Sequence, residues 1–139
     1  MQRNSWRWDL TVSALGNLSW YSSSGGLLCW VGAVTGQWNS VSDMHRKARI
    51  EPMSPVLDKL MQVRMSSYAF RHDETGRRYL GTMAQEIAPL FPEVVRSHED
   101  HYGLSYGQLA VIALKALQEQ QQLIDYLETE VARLEATKK

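Results

Sequence analysis

The sequence predicts an α+β protein with three parts: a short β-rich N-terminal stub, a small helix-plus-hairpin domain, and a long C-terminal helix forming a coiled coil. Three observations carry that reading. Apolar residues alternate with polar ones over residues 1–41, where all five tryptophans also lie. The texture turns polar and basic at Ser42. After Gly107 there is neither glycine nor proline through Lys139, while apolar residues recur at heptad spacing.

In the stub, Trp6, Trp8 and Leu10 alternate with Arg7 and Asp9, and Leu18 and Trp20 alternate with Ser19. This period of two is that of a strand with one face toward apolar surroundings. Gly16-Asn17, Ser22 to Gly26 and Thr35-Gly36 supply the turns. The stub holds only two arginines and one aspartate. Short, nearly uncharged strands cannot close a core within 41 residues. Residues 1–41 are therefore expected to continue a larger β-structure or to pair with other chains, the plainer reading being an ordinary N-terminal hairpin.

From Ser42 to Arg49 the chain is a polar, basic connection. Ser54 is suited to cap a helix, Pro55 to begin it, and Leu57, Leu60 and Met61 to give it one apolar face. Tyr68 and Phe70 alternate with Ala69 and Arg71, and Tyr79 to Met83 is a second apolar-leaning run. His72 to Arg77 between them is turn chemistry, so a hairpin is expected. Ala84 to Leu90 reads as a short helix limited by Pro89 and Pro92. Residues 42–104 form the middle domain on this reading.

Residues 105–139 read as one helix, opened by a capping-box pattern at Ser105 and Gln108. Ala110, Leu117, Ile124 and Val131 fall at one seam position, and Ala113, Gln120, Leu127 and Leu134 at the other. Glu128, Glu130 and Glu135 flank the seam. A helix packed on its own domain shows similar periodicity, but it does not need the polar tail beyond residue 120. The seam alone does not fix the number of strands.

Composition excludes several classes. Fifteen basic and 15 acidic residues give zero formal charge, against a dedicated nucleic-acid binder. The single Cys29 rules out an internal disulfide and reads as a small buried hydrophobe. The longest apolar run, Leu27 to Val34, is broken by Gly32 and too short for a bilayer. Met1 to Leu10 lack the apolar stretch of a signal peptide, so cytoplasmic synthesis is expected. His98 and His101 are close, but no third and fourth ligand is indicated, and no glycine-rich phosphate loop is present. No cofactor or metal is expected.

Ser42 and Lys47 are the candidates for chemistry. A serine hydroxyl is a poor nucleophile until a base takes its proton, and lysine serves once its pKa, ordinarily about 10.4, falls toward about 7 to 8. Cations favour that fall, and His45, Arg46 and Arg49 are near in sequence, whereas Asp43 opposes it. Five positions do not share a helix face, so the pair needs a turn or a strand-to-loop junction. Spacing alone says little, because Ser54 and Lys59 are also five apart. A solvated basic loop is the plain alternative.

In order, Ser42-Asp43 with Lys47, the Leu57 to Leu60 helix, Tyr68 in its hairpin, G-T-M-A-Q-E-I from Gly81, F-P-E-V-V from Phe91, and Leu104-Ser105-Tyr106 before the long helix resemble one family. It is the C-terminal intramolecular chaperone of phage tailspikes and tail fibres, a self-cleaving serine–lysine peptidase also found in the myelin regulatory factor. The resemblance covers about residues 42–135, and Gly81 to Val95 is its most specific stretch. The family usually has arginine three residues after the serine and an apolar residue next; here these are His45 and Arg46.

The resemblance implies a homotrimer whose client is the N-terminal β-rich part of the same polypeptide, with assembly in the host cytoplasm and the client ending in the virion tail. It assigns Ser42 as nucleophile and Lys47 as base; His45, Arg46, Gln85 and Glu86 are the candidate supporting residues, capping and surface roles being the commoner ones for Gln85 and Glu86. Attack of Ser42 Oγ on the Val41 carbonyl passes through a five-membered ring and leaves an ester for water, so Val41–Ser42 is the expected bond, with Ser42–Asp43 next. A trimerisation module that does not cut is the alternative.

Overall fold

The computed structural model describes residues 9–138 except Leu15, Ser23 and Gly25; Trp6 and Trp8 lie outside the described residues. It forms two compact units, one up to Glu51 and one from Pro52. The compositional change at Ser42 therefore falls inside the first unit.

The first unit is an antiparallel meander of β1 (Asp9–Val12), β2 (Leu18–Tyr21), β3 (Leu27–Val31) and β4 (Trp38–Ser40), in that order. Leu10 pairs with Trp20, Trp20 with Cys29, and Cys29 with Ser40. The turns stand where the glycines predict them. Gly16 takes a φ of 77°, open to a residue without Cβ, and its N–H closes on the Ser13 carbonyl at 2.8 Å. Trp20 and Trp38 stack at a 46° tilt, with ring centroids 4.9 Å apart.

Among the described residues this sheet has no core of its own. Among the described residues of the unit only Ser19 is buried, while Leu10 and Val12 are 57% and 71% exposed. Cys29 is half-buried and free, a departure from the buried hydrophobe expected of it.

The second unit contains α1 (Leu57–Leu60), a hairpin of β5 (Ser66–Tyr68) and β6 (Tyr79–Gly81), α2 (Ala84–Ile87), a 3-10 turn at Pro92–Val94, a hairpin of β7 (Val95–His98) and β8 (His101–Leu104), and α3 (Tyr106–Thr137). Its core is Val56, Ile87, Phe91, Val94, Ile112 and Ala116. Burying aliphatic and aromatic side chains of this kind stabilises by about 1.5–3 kcal/mol each. The first turns of α3 supply Ile112 and Ala116, four apart on one face, and Leu109 packs beside them.

Several local expectations change. Ser54 does not cap α1: its N-cap is Val56, without a side-chain cap. The cap comes from α3, where Glu119 accepts the amides of Val56 and Leu57 at 3.0 and 2.9 Å. These bonds hold the Glu119 carboxyl below its ordinary value, with the Leu57 amide foremost, helped by Lys115 and opposed by desolvation. The capping box at α3 is also unmade, since Ser105 makes no cap bond and Gln108 accepts from Arg96 at 3.3 Å. The helix expected over Ala84–Leu90 ends at Ile87, with Pro89 just beyond. Val95–His98 and His101–Leu104 form a hairpin not expected from the sequence, in which His98 and His101 pair across Glu99-Asp100. Glu99 takes a φ of 52° to make that turn.

Beyond Glu119, α3 leaves its own core. The seam residues Leu117, Ile124, Leu127, Val131 and Leu134 are 42–60% exposed. No helix among the described residues is long and apolar enough to cross a membrane.

Candidate active site

The site grows from where β4 ends beside the start of β3. The ladder continues one step past Ser40, where the Val41 amide donates to the Leu28 carbonyl at 3.0 Å. Val41 is thus held as extended backbone, and Ser42 is the first residue off the sheet. Asp43 then caps a single 3-10 turn, Met44–Arg46, its carboxylate accepting the His45 amide at 2.9 Å. The Arg46 amide donates to the Asp43 carbonyl at 3.1 Å and the Lys47 amide to the Met44 carbonyl at 3.0 Å.

That turn reverses the chain just enough to bring the ends of the Ser42–Lys47 spacing together. Lys47 Nζ donates to Ser42 Oγ at 2.8 Å. With the amine neutral, the same contact runs the other way, the hydroxyl donating to Nζ, which is the geometry a general base requires. A cleft of about 200 Å³ opens beside the pair, lined by Leu27, Leu28, Val41, Asp43, Arg46 and Lys47. In the single chain both Ser42 and Lys47 are exposed.

Asp43 is engaged with the turn amide, and His45 is exposed on the turn. Arg46 reaches back 19 residues, its Nη1 donating to the Leu27 carbonyl. The sequence marks Arg46 as a nearby cation, a departure from the family pattern and a supporting residue, without saying what it touches. A contact to a carbonyl in a distant strand leaves no mark on spacing.

Gln85 and Glu86 stand on α2 in the second unit. Gln85 is exposed, and Glu86 forms a two-pronged ion pair with Arg64, one prong Arg64 Nε to Oε2 at 3.2 Å. The G-T-M-A-Q-E-I stretch around them has a packing logic. A Cβ on Gly81 would stand 2.6 Å from the Tyr106 hydroxyl. Thr82, Ala84 and Ile87 are buried, so the pattern combines one close approach with three inward positions. Thr82 Oγ1 is buried without a hydrogen-bond partner. Among the described residues no cluster of histidine, cysteine and carboxylate side chains has metal-binding geometry.

A serine next to a lysine amine thus stands on a tight turn leaving a β-sheet, ahead in sequence of a small α+β unit and a long helix. Residues 42–96, which are 55 of the 139, match the peptidase-family model described as chaperone of endosialidase. The resemblance read from the sequence to intramolecular chaperones agrees with that match. No curated protein matches the chain.

Proposed function

We infer that this chain is an intramolecular chaperone that trimerises through α3, brings the β-rich segments before Ser42 into register, and then releases itself by a single self-cleavage next to Ser42. The observation that carries the cleavage is the 2.8 Å contact between Lys47 Nζ and Ser42 Oγ.

The physical need is clear from the first unit. The described residues of its sheet bury almost nothing by themselves, and pairing β-rich chains in register is non-local and prone to slippage. A coiled coil formed first raises the local concentration of the strands and restricts their register. The apolar seam of α3 from Leu117 to Leu134, exposed in one chain, suits that task.

For the cut, neutral Lys47 takes the hydroxyl proton as Ser42 Oγ bonds to the Val41 carbonyl carbon. The Val41–Ser42 C–N bond then breaks, its nitrogen leaving as an amine with a proton from Lys47. Water hydrolyses the Val41 ester and restores the hydroxyl. Because the scissile bond is tethered, positioning supplies much of the acceleration and one turnover suffices. Lysine needs shelter from water for this role, and chains packed over the cleft in the trimer would supply it. Cutting then waits on assembly.

Intact mass after purification tests the reading. A C-terminal fragment beginning at Ser42 is expected from the wild type and only full-length chain from Ser42→Ala. Intact wild type instead leaves a non-cleaving trimerisation module, a reading that the exposure of both dyad residues in the single chain favours.

A further inference from the structure

Among the described residues, the Arg46 side chain links the 3-10 turn to β3 apart from the backbone ladder. Its Nη1 donates to the Leu27 carbonyl. Its Nη2 occupies the space above Gly26, where a Cβ would come within 2.8 Å. Gly26 in turn closes the β2–β3 turn, its carbonyl accepting the Ser22 amide at 2.8 Å and its amide donating to Ser22 Oγ at 3.1 Å. The carbonyl that Arg46 takes thus belongs to the strand immediately after that closure.

Arg46 also directly precedes Lys47 and is the last residue of the turn. Its backbone amide is tied to Asp43, and Lys47's to Met44. Fixing the guanidinium against Gly26 and Leu27 therefore fixes the roll of the turn, and with it the direction from which Lys47 leaves toward Ser42. A charge-assisted bond from a planar guanidinium to a carbonyl is directional, so it can serve as such a stop.

We propose that Arg46 is a positioning residue of the Ser42–Lys47 pair, a clamp between the 3-10 turn and the Gly26–Leu27 end of β3 that closes the pair only when the β2–β3 hairpin is folded. This rests on the self-cleavage reading and adds a local sensor to it: the strands being chaperoned supply the acceptor that aligns the base. Gly26 is part of the clamp because a larger residue would displace the guanidinium.

Cleavage rates of the full chain test the coupling. Arg46→Met, which keeps length and loses the donor, is expected to slow cutting about ten-fold, a misalignment effect, and Arg46→Lys, which keeps a donor but not the planar fork, to recover only part of that loss. Gly26→Ala, whose Cβ would also meet Ser22 Oγ at 3.3 Å, should slow cutting more with Arg46 present than in the Arg46→Met background, as coupled residues do. Wild-type cutting by Arg46→Met, or a Gly26→Ala effect undiminished without Arg46, overturns the clamp.

Hydrogen exchange in the uncut Ser42→Ala chain reads the clamp without cleavage. Adding Arg46→Met should speed exchange of the Arg46 and Lys47 amides about ten-fold, as expected for a locally opened turn. Unchanged exchange overturns the clamp. A wild-type chain that stays intact overturns the cleavage reading instead, and the clamp then stands or falls on exchange alone.

Discussion

Glu119 on α3 caps α1 across 62 residues of sequence, its carboxylate accepting the Leu57 amide at 2.9 Å. A four-residue helix has too little length to hold itself, and a carboxylate at its N-terminus satisfies two amides that would otherwise need water. The same glutamate marks where α3 stops packing on its own core and becomes a free helix.

The first prediction follows. These bonds favour the ionised carboxylate, so Glu119 titrates lower in the folded chain than in the unfolded one. Its stabilising contribution is fully present above the ordinary glutamate value and is lost as pH falls through the lower folded value. Glu119→Gln should lower the thermal midpoint by a few degrees at neutral pH. The gap to wild type should close on acidification. Thermal melts of both proteins from neutral pH down to pH 3 check this; a gap constant across that range contradicts it.

Ile87 is fully buried at the centre of the second unit's core. Ile87→Ala leaves a cavity and should cost about 2–5 kcal/mol, a large share of what so small a unit possesses. Urea denaturation followed by circular dichroism measures it. A loss well under 1 kcal/mol would show that the core relaxes around the gap.

The seam gives a third prediction. Leu127 is 51% exposed in the single chain, and in a coiled coil it turns inward. Leu127→Glu should place like charges at the axis and yield monomers by sedimentation, with the helix content of the second unit's core elements retained. A trimer that survives the substitution would move assembly away from α3.

Much of the scaffold is legible in the sequence because it is local. Alternation at Leu18–Trp20, the glycine turns and the uninterrupted run after Gly107 each state their element within a few residues. The long helix appears as Tyr106–Thr137 and the middle hairpin pairs Tyr68 with Tyr79. What stays hidden is supplied from afar. Ser54 and Ser105 are good capping residues that do not cap, because Glu119 and packing against Val94 and Leu104 position those helices instead. The β7–β8 hairpin hides behind histidines and acids that resemble loop. Ser42 and Lys47 could be named as a pair, but the 3-10 turn that joins them and the Arg46 contact to Leu27 depend on a strand far back in the chain.

Lys47→Arg separates a base from a structural cation. Arginine retains positive charge and hydrogen-bonding reach but does not give up its proton in proteins. The variant should remain a full-length trimer on native sizing and stay uncut. Cleavage at the wild-type rate would exclude Lys47 as the proton acceptor.

The most direct measurement is the intact mass of the wild-type chain beside Ser42→Ala, each purified identically and denatured before analysis. Two fragments are expected from the wild type, the C-terminal one beginning at Ser42, and a single full-length mass from Ser42→Ala. The same fragments from both proteins, or full-length mass from both, would contradict self-cleavage by Ser42.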